Sequence, residues 1–220
     1  MIPRILEPEA MDTPDEAAEY DVMDHAGVNA KFVADFLATH GPCQGGRILD
    51  VGTGTARIPI ELARADANVS IVATDLSEPM LALGRRNVEI AGFSDRIELR
   101  NVDAKGFDDA DHSFEAVICN SIIHHIPEPA KVMAEMARLV TSGGVLFCRD
   151  LARPNSAAKL DQLVELYASE ETPAARALFA ASLHAALTLK EVQAIVESIG
   201  LPAETVIMTS DRHWTWTHTP

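Results

Sequence analysis

Positive charge is in short supply in this sequence. Eighteen lysines and arginines stand against 33 acidic residues, a formal charge of −15 at pH 7. A surface of that sign repels polyphosphate, and no basic run interrupts it, which argues against DNA or RNA as a partner. Long apolar stretches are missing as well. No segment approaches the roughly 20 residues a membrane span needs, and the N-terminal MIPRILEPEAMD has no signal-peptide core, so the expectation is a cytoplasmic protein. Cysteine is scarce. Cys43, Cys119 and Cys148 show no metal-type spacing, and two fall in predicted strands, where they read as small core residues rather than ligands or disulfide partners. At 220 residues the chain suits one well-cored domain, or one domain with a small cover; oligomeric state is left open, a homo-oligomer included.

One further absence matters more. The stretch Arg47 to Ala63, RILDVGTGTARIPIELA, begins with the apolar run of a buried parallel strand, interrupted only by Asp50 near its carboxyl end. Gly52-Thr53-Gly54-Thr55 then lets the backbone turn sharply and a ligand lie against it, and a helix-compatible segment follows. A dinucleotide fingerprint would place a third glycine where this chain has Arg57. The second strand, Val69 to Thr74, ends in Asp75, 25 positions after Asp50. An acid about 20 residues beyond a glycine loop is where a ribose diol is gripped, because a carboxylate accepts from both hydroxyls. The competing reading, in which Asp75 merely opens the next helix, is weakened by Ser77, which can cap that helix itself.

Read together, the acidic lead residue, the G-x-G turn and the second acidic strand end resemble motif I and its continuation in the class I S-adenosylmethionine-dependent methyltransferases. Asp75-Leu76-Ser77-Glu78-Pro79-Met80-Leu81 is similar to the usual D-x-S-x-x-M-L run. The ubiquinone and menaquinone methyltransferase-like small-molecule group is the nearest in style, over about residues 15 to 150. The resemblance implies an α/β fold: a doubly wound, seven-stranded, mostly parallel sheet, Rossmann-like and of methyltransferase type, with an antiparallel C-terminal strand and a helical insertion. It implies S-adenosylmethionine as cofactor, bound by Asp50, Gly52, Thr53, Gly54, Asp75, Leu76, Met80, Asp103, Ala104 and Asn120 with Tyr20 as cover, and no metal. Asp103, at the end of a third strand from Arg96 to Val102, would receive the adenine amine.

The domain reading is an arm with cap helices over residues 1–40, then the cofactor-binding domain over 41–220, with a helical cover at about 152–187. The first 16 residues, with Pro3, Pro8 and Pro14, read as extended. Ala17 to Asn29, including Asp24 and His25, reads as an amphipathic cap, and Tyr20-Asp21 is similar to a pair that covers the cofactor in the family. A fourth strand, Phe114 to Cys119, empties into Asn120-Ser121-Ile122-Ile123-His124-His125-Ile126-Pro127, which resembles the family's motif IV region. Thr141-Ser142-Gly143-Gly144 reads as a turn before a fifth strand starting at Val145. Leu160 to Leu166 and Ala175 to Leu187 read as inserted helices, and Thr188 with Glu191 as a capping box. Trp214 and Trp216, on one face of the last strand, read as core.

Methyl transfer needs alignment more than acid–base chemistry. If the acceptor must lose a proton, the candidate bases are His124, His25 and then His213, with Tyr20 as a lid residue; of the adjacent histidines one functional residue is favoured, and His124 is preferred. A magnesium site from Asp150 and Asn120 is disfavoured for want of a third acid. Three functions follow in order: direct in-line methyl transfer to a small-molecule acceptor, a cofactor-binding protein of the same fold without transferase chemistry, and a dinucleotide oxidoreductase.

Overall fold

The computed structural model describes residues 2–9, 12–23 and 25–220; Asp24 of the expected cap, and Met1, Ala10 and Met11 of the arm, lie outside them. The chain forms two compact units. One comprises Met1–Glu9, Ser121–Ala130 and Arg149–Trp216; the other comprises Ala10–Asn120, Lys131–Cys148 and Thr217–Pro220.

The larger unit opens with α1 (Pro14–Asp21), whose start is dictated by a capping box. The Thr13 hydroxyl accepts from the Glu16 amide at 3.2 Å, the Glu16 carboxylate accepts from the Thr13 amide at 3.1 Å, and Pro14 takes the first helical position, where no amide is needed. Then come α2 (Ala26–His40), β1 (Arg47–Val51), α3 (Arg57–Ala65), β2 (Ser70–Asp75), α4 (Glu78–Ala91), β3 (Ile97–Asn101), β4 (Phe114–Asn120) and α5 (Pro129–Leu139). As expected, Ser77 caps α4, accepting from the Met80 amide at 3.3 Å, and Gly92 ends it in a left-handed conformation at φ +77°. β1 pairs in parallel with β2 on one side and β4 on the other, and β2 pairs in parallel with β3. The order reverses between β1 and β4, so the crevice at their carboxyl ends is the switch point where ligands bind in open α/β sheets.

The apolar face of this unit is built by Phe32, Val33 and Phe36 of α2, Ile60 of α3, Ile48 and Ile71 of the strands, and Phe147. The Phe32 and Phe147 rings meet edge to face, 5.3 Å between centroids, a geometry favoured by the ring quadrupoles.

The complete sheet has seven strands in the order β3-β2-β1-β4-β5-β7-β6, with β5 (Val140–Leu151), β6 (Val206–Met208) and β7 (His213–His218); β6 and β7 run antiparallel. The mostly parallel sheet expected from sequence is present. One local expectation is corrected. Thr141 to Gly144 is extended rather than a turn, because β5 begins directly at Val140. Gly143, at φ +78°, donates its amide to the Pro220 carbonyl at 2.9 Å, and Gly144 leaves no room for a Cβ against the Glu115 backbone. The two glycines serve close backbone approach, which sequence does not distinguish from a helix stop.

The smaller unit holds α6 (Ala157–Ala168), α7 (Pro173–Ala185) and α8 (Leu189–Ser198). α6 and α7 start earlier than their apolar residues suggest because Ser156 and Thr172 cap them, with Pro173 at the first position of α7. The Thr188–Glu191 capping box of α8 forms as expected. Leu151, Leu160, Leu163, Leu183 and Ala186 make this unit's own core. Trp214 and Trp216 are fully buried, and the three cysteines are buried thiols. Among the described residues no helix is long and apolar enough to cross a membrane.

Two contacts in the larger unit generate tests. Gly84 of α4 faces the glycine loop so closely that a Cβ there would come within 2.7 Å of Leu99 Cδ2 and 3.4 Å of the Ala56 Cβ. Gly84→Val, which adds two methyls to that contact, is expected to lower stability by about 1–3 kcal/mol, read as the shift of a urea unfolding midpoint at constant slope. Arg57 binds α1 instead of serving as a third glycine: its Nε and Nη2 donate to the two oxygens of Asp21 at 3.1 and 2.9 Å. The pair is partly exposed, so Arg57→Ala should change global stability by less than about 1 kcal/mol, with amide hydrogen exchange in α1 rising by up to about fivefold.

Candidate functional site

The carboxyl ends of β1 and β2 make the first site. Gly52 and Gly54 have φ of +75° and +56°, and Ala56, without glycine's freedom, also takes +62°, so the chain between β1 and α3 is coiled left-handed. The amides of Gly52 and Thr53 both donate to the Thr74 carbonyl at 2.8 Å, tying the loop to β2. Asp75 completes the tie: Oδ2 accepts from the Gly54 amide at 2.7 Å and Oδ1 from the Ser77 amide at 2.9 Å. Burial pushes its carboxyl above the usual range, opposed by these two amides. Asn101 braces the strand tip from β3, donating through Nδ2 to the Asp75 and Leu76 carbonyls at 3.1 and 2.8 Å. Its amide was not singled out from the sequence, where Asn101 is one polar residue in an alternating strand.

Asp50 is 1 % exposed. Desolvation lifts its carboxyl to about 7; the Thr53 hydroxyl acts the other way without making a hydrogen bond to Oδ2, and the Asp75 charge adds to the rise. Among the described residues, Asp50 Oδ2 and the Thr53 and Thr55 hydroxyls are buried and take no hydrogen bond. Unpartnered polar atoms of this kind cost stability, and three beside one glycine loop suit a polar ligand that satisfies them.

Of the other residues expected here, Met80 is buried, Asn120 and Ala104 are half-buried, and Leu76 is exposed. Asp103 is exposed and held by Lys105, whose amide and ammonium lie 3.0 and 3.2 Å from Oδ1 and keep the carboxyl low despite the opposing effect of burial. Tyr20 lies over the loop, its ring 3.7 Å from where a Gly54 Cβ would stand, and burial together with the Asp75 and Asp21 charges raises its hydroxyl pKa. His25 packs beside it, ring centroids 5.4 Å apart. Asp21 is held twice, by Arg57 and by Asn87 Nδ2 at 2.9 Å, and Asn87 also donates to the Thr55 carbonyl at 3.0 Å. The cap is thus latched to the loop it covers by two residues whose part in it no motif announced.

The smaller unit contains the second cluster. A turn of 3₁₀ helix, Ile123–His125, follows β4 and buries His124, 3 % exposed. Its Nδ1 is 2.6 Å from Asp150 Oδ1, and its amide donates to Oδ2 at 3.1 Å, so Asp150 holds both ring and backbone. Burial, the largest single effect, and the Arg4 charge lower the imidazole pKa, but the Asp150 charge and hydrogen bond together with the Glu7 charge raise it overall. Glu7 approaches from the N-terminal arm, with Oε2 3.8 Å from His124 Nε2 and 3.7 Å from His125 Nδ1. Arg4 fixes the surroundings by donating to the Ala185 carbonyl at 2.7 Å and to the His124 and Ile126 carbonyls at 3.1 Å each. The arm therefore has specific partners, a role its prolines and acids did not reveal. His213, the third candidate base, is held neutral near pH 7 because burial and Arg212 lower its pKa to about 4.

The family described as a methyltransferase domain matches residues 48–144. A phosphatidylethanolamine N-methyltransferase of Cereibacter sphaeroides is 37% identical over 107 residues, covering 49% of this chain and 51% of that protein. A ubiquinone/menaquinone biosynthesis C-methyltransferase of Geobacter sulfurreducens is 30% identical over 146 residues, 64% of this chain and 57% of that protein. The chain spans about half the length of the curated relatives it matches. In fold it is similar to a SAM-dependent methyltransferase from Aquifex aeolicus, with a TM-score of 0.69, 17% identity and coverage of 93% of this chain and 97% of that one. The matched segment runs from β1 to the Gly143-Gly144 pair and contains the loop, both acidic strand tips and the His124–His125 turn. Over residues 48–144 the chain therefore matches a methyltransferase-domain family, and it resembles the class I S-adenosylmethionine-dependent methyltransferases of ubiquinone and menaquinone biosynthesis.

Proposed function

We propose that the protein transfers a methyl group from S-adenosylmethionine to a small-molecule acceptor by direct in-line displacement. The observation that carries this reading is the Asp75 carboxylate, half-buried at the tip of β2 and pinned to the Gly54 amide at 2.7 Å, with lone pairs left to accept from a ribose diol. Two of the relatives similar in sequence are named a phosphatidylethanolamine N-methyltransferase and a ubiquinone/menaquinone biosynthesis C-methyltransferase, which supports a small organic acceptor.

When bound, the cofactor supplies an electrophilic methyl on a sulfonium that leaves as a neutral thioether. Everything else is work for the protein's residues. Asp75 orients the ribose; Asp50, with its unpartnered Oδ2, takes the amino-acid ammonium. Thr53 and Thr55 offer hydroxyls to the polar tail, while Gly52 and Gly54 let the backbone lie close without a Cβ. Asp103 and Ala104 face the adenine, and Leu76, Met80 and Asn120 complete the lining. Tyr20 covers the loop and excludes water, held by the Arg57–Asp21–Asn87 latch. Alignment and exclusion of this type can account for about 7–11 kcal/mol of barrier, so a general base is required only for an acceptor that must shed a proton.

Calorimetric titration tests the assignment. S-adenosylhomocysteine is expected to bind and NADH not, and Asp75→Ala is expected to weaken S-adenosylhomocysteine at least about tenfold, the loss of charge-assisted hydrogen bonds to two hydroxyls. Preferential NADH binding, or unchanged affinity in the variant, would contradict the reading. Turnover is checked by incubation with labelled cofactor and a metabolite extract, where release of S-adenosylhomocysteine separates a transferase from a protein that only binds.

The raised carboxyl of Asp50, at about 7, gives a pH test with a definite sign. Its native pKa exceeds the unfolded value, so its contribution to stability is complete at low pH and is lost as pH rises through about 7. Binding runs the opposite way, because an ammonium ligand prefers the ionised form and α-amino groups stay protonated below about 7.7. Affinity for S-adenosylhomocysteine should therefore tighten by up to about tenfold per pH unit below about 7, level off there and weaken again above about 7.7 as the ammonium loses its proton, and Asp50→Asn should remove the rise on the acid side. A flat profile in the unsubstituted protein would remove Asp50 from the role.

A further inference from the structure

We infer that Glu7, His124 and His125 form a binding site for a divalent transition-metal ion, with Asp150 as its positioning residue. The three side chains lie wholly within the smaller unit. One ligating atom from each of the three side chains lies within 4.8 Å of the others. A tetrahedral ion with bonds near 2.0–2.1 Å sets its ligands about 3.3 Å apart. The two separations from Glu7 Oε2, 3.8 Å to His124 Nε2 and 3.7 Å to His125 Nδ1, therefore need to close by only a few tenths of an ångström.

Three observations make this a built site rather than a chance meeting of polar groups. The Glu7 side chain is nine-tenths buried, and its Oε2, which points at both imidazoles, takes no hydrogen bond among the described residues. Its other oxygen is accounted for, receiving the Ser182 hydroxyl at 3.4 Å. Second, the bond between His124 Nδ1 and Asp150 Oδ1, 2.6 Å long, selects the tautomer with the proton on Nδ1 and leaves Nε2 with a lone pair toward Glu7. A carboxylate behind a histidine is the usual support for a metal ligand, fixing ring orientation and raising basicity. Third, Arg4, the nearest cation of the arm, has three carbonyl partners and anchors both the arm and the histidine turn, so its charge is engaged by backbone. His125 Nδ1 also lies 3.2 Å from the Pro8 carbonyl, and coordination exchanges that contact for the metal.

Two imidazoles and one carboxylate select zinc or ferrous iron over magnesium and calcium, which favour oxygen-rich sets. Three protein ligands leave positions for water or for an oxygen or nitrogen donor of a small molecule. On binding, any proton on His124 Nε2 passes to solvent, the proton that His125 Nδ1 shares with the Pro8 carbonyl is lost to solvent while Nε2 takes one up, His124 Nδ1 keeps its proton toward Asp150, and no electron is transferred.

The untagged full chain, stripped with chelator and titrated calorimetrically with zinc chloride, is expected to take up one equivalent. Glu7→Gln, which keeps the shape of the side chain, and His125→Ala, at the most exposed of the three ligands, should each weaken binding at least about tenfold, and Asp150→Asn by about 10- to 100-fold. Circular dichroism melting establishes that each variant is folded. Zinc-edge X-ray absorption on the unsubstituted protein gives a reading independent of any variant, with a nitrogen and oxygen shell containing two imidazoles expected. Absence of stoichiometric binding, unchanged affinity in both ligand variants, or sulfur in the zinc shell would overturn the proposal.

Discussion

The hydrogen bond from the Gly54 amide to Asp75 Oδ2, 2.7 Å, is the contact on which the cofactor crevice depends. It joins the glycine loop after β1 to the tip of β2, and it sits beside a second tie, the Gly52 and Thr53 amides on the Thr74 carbonyl. A loop with left-handed backbone at Gly52, Gly54 and Ala56 would otherwise gain entropy by opening. Here its donors are spent on the neighbouring strand, and the carboxylate that receives one of them accepts the Ser77 amide through its other oxygen.

Around that contact the chain spends its unusual residues on holding things close. Arg57 occupies the position where a dinucleotide site would have glycine, and it uses the room to grasp Asp21 at the end of the cap helix. Asn87 grasps the same aspartate from α4 and the Thr55 carbonyl beside it. Gly84 removes a side chain where α4 crosses the loop. The substitution that argued against a dinucleotide therefore has a structural use of its own: it positions Tyr20.

The smaller unit is organised by a different economy. His124 is buried with Asp150 on one ring nitrogen and Glu7 toward the other, and the arm that brings Glu7 is fastened by Arg4. A histidine between two carboxylates suits an imidazolium as well as it suits a metal ligand, and the two differ in what the unbonded Glu7 oxygen is for. In the crevice backbone amides hold the Asp75 carboxylate, whereas this cluster is assembled from side chains drawn from three distant parts of the chain.

The amino-acid sequence alone determined those features whose physics is local. Strand, glycine bend and acidic tip are contiguous, so Asp50, Gly52, Gly54 and Asp75 were legible from one stretch and a spacing, and helix ends were legible at Ser77, Gly92 and Thr188 because caps act within one turn. The parallel sheet followed from alternating strands and helices. What only the tertiary structure decided are the pairings between residues far apart in sequence. Glu7 lies in an arm without periodicity, Asp150 is one more acid in a strand, and Asn87 and Asn101 are ordinary polar residues until a fold brings carbonyls within reach. Even Gly143 and Gly144, conspicuous in the sequence, were misread as a helix stop, since close backbone packing and chain reversal call for the same residue. Local propensity is written into neighbouring residues. A hydrogen bond across a hundred positions is created only when the chain has closed.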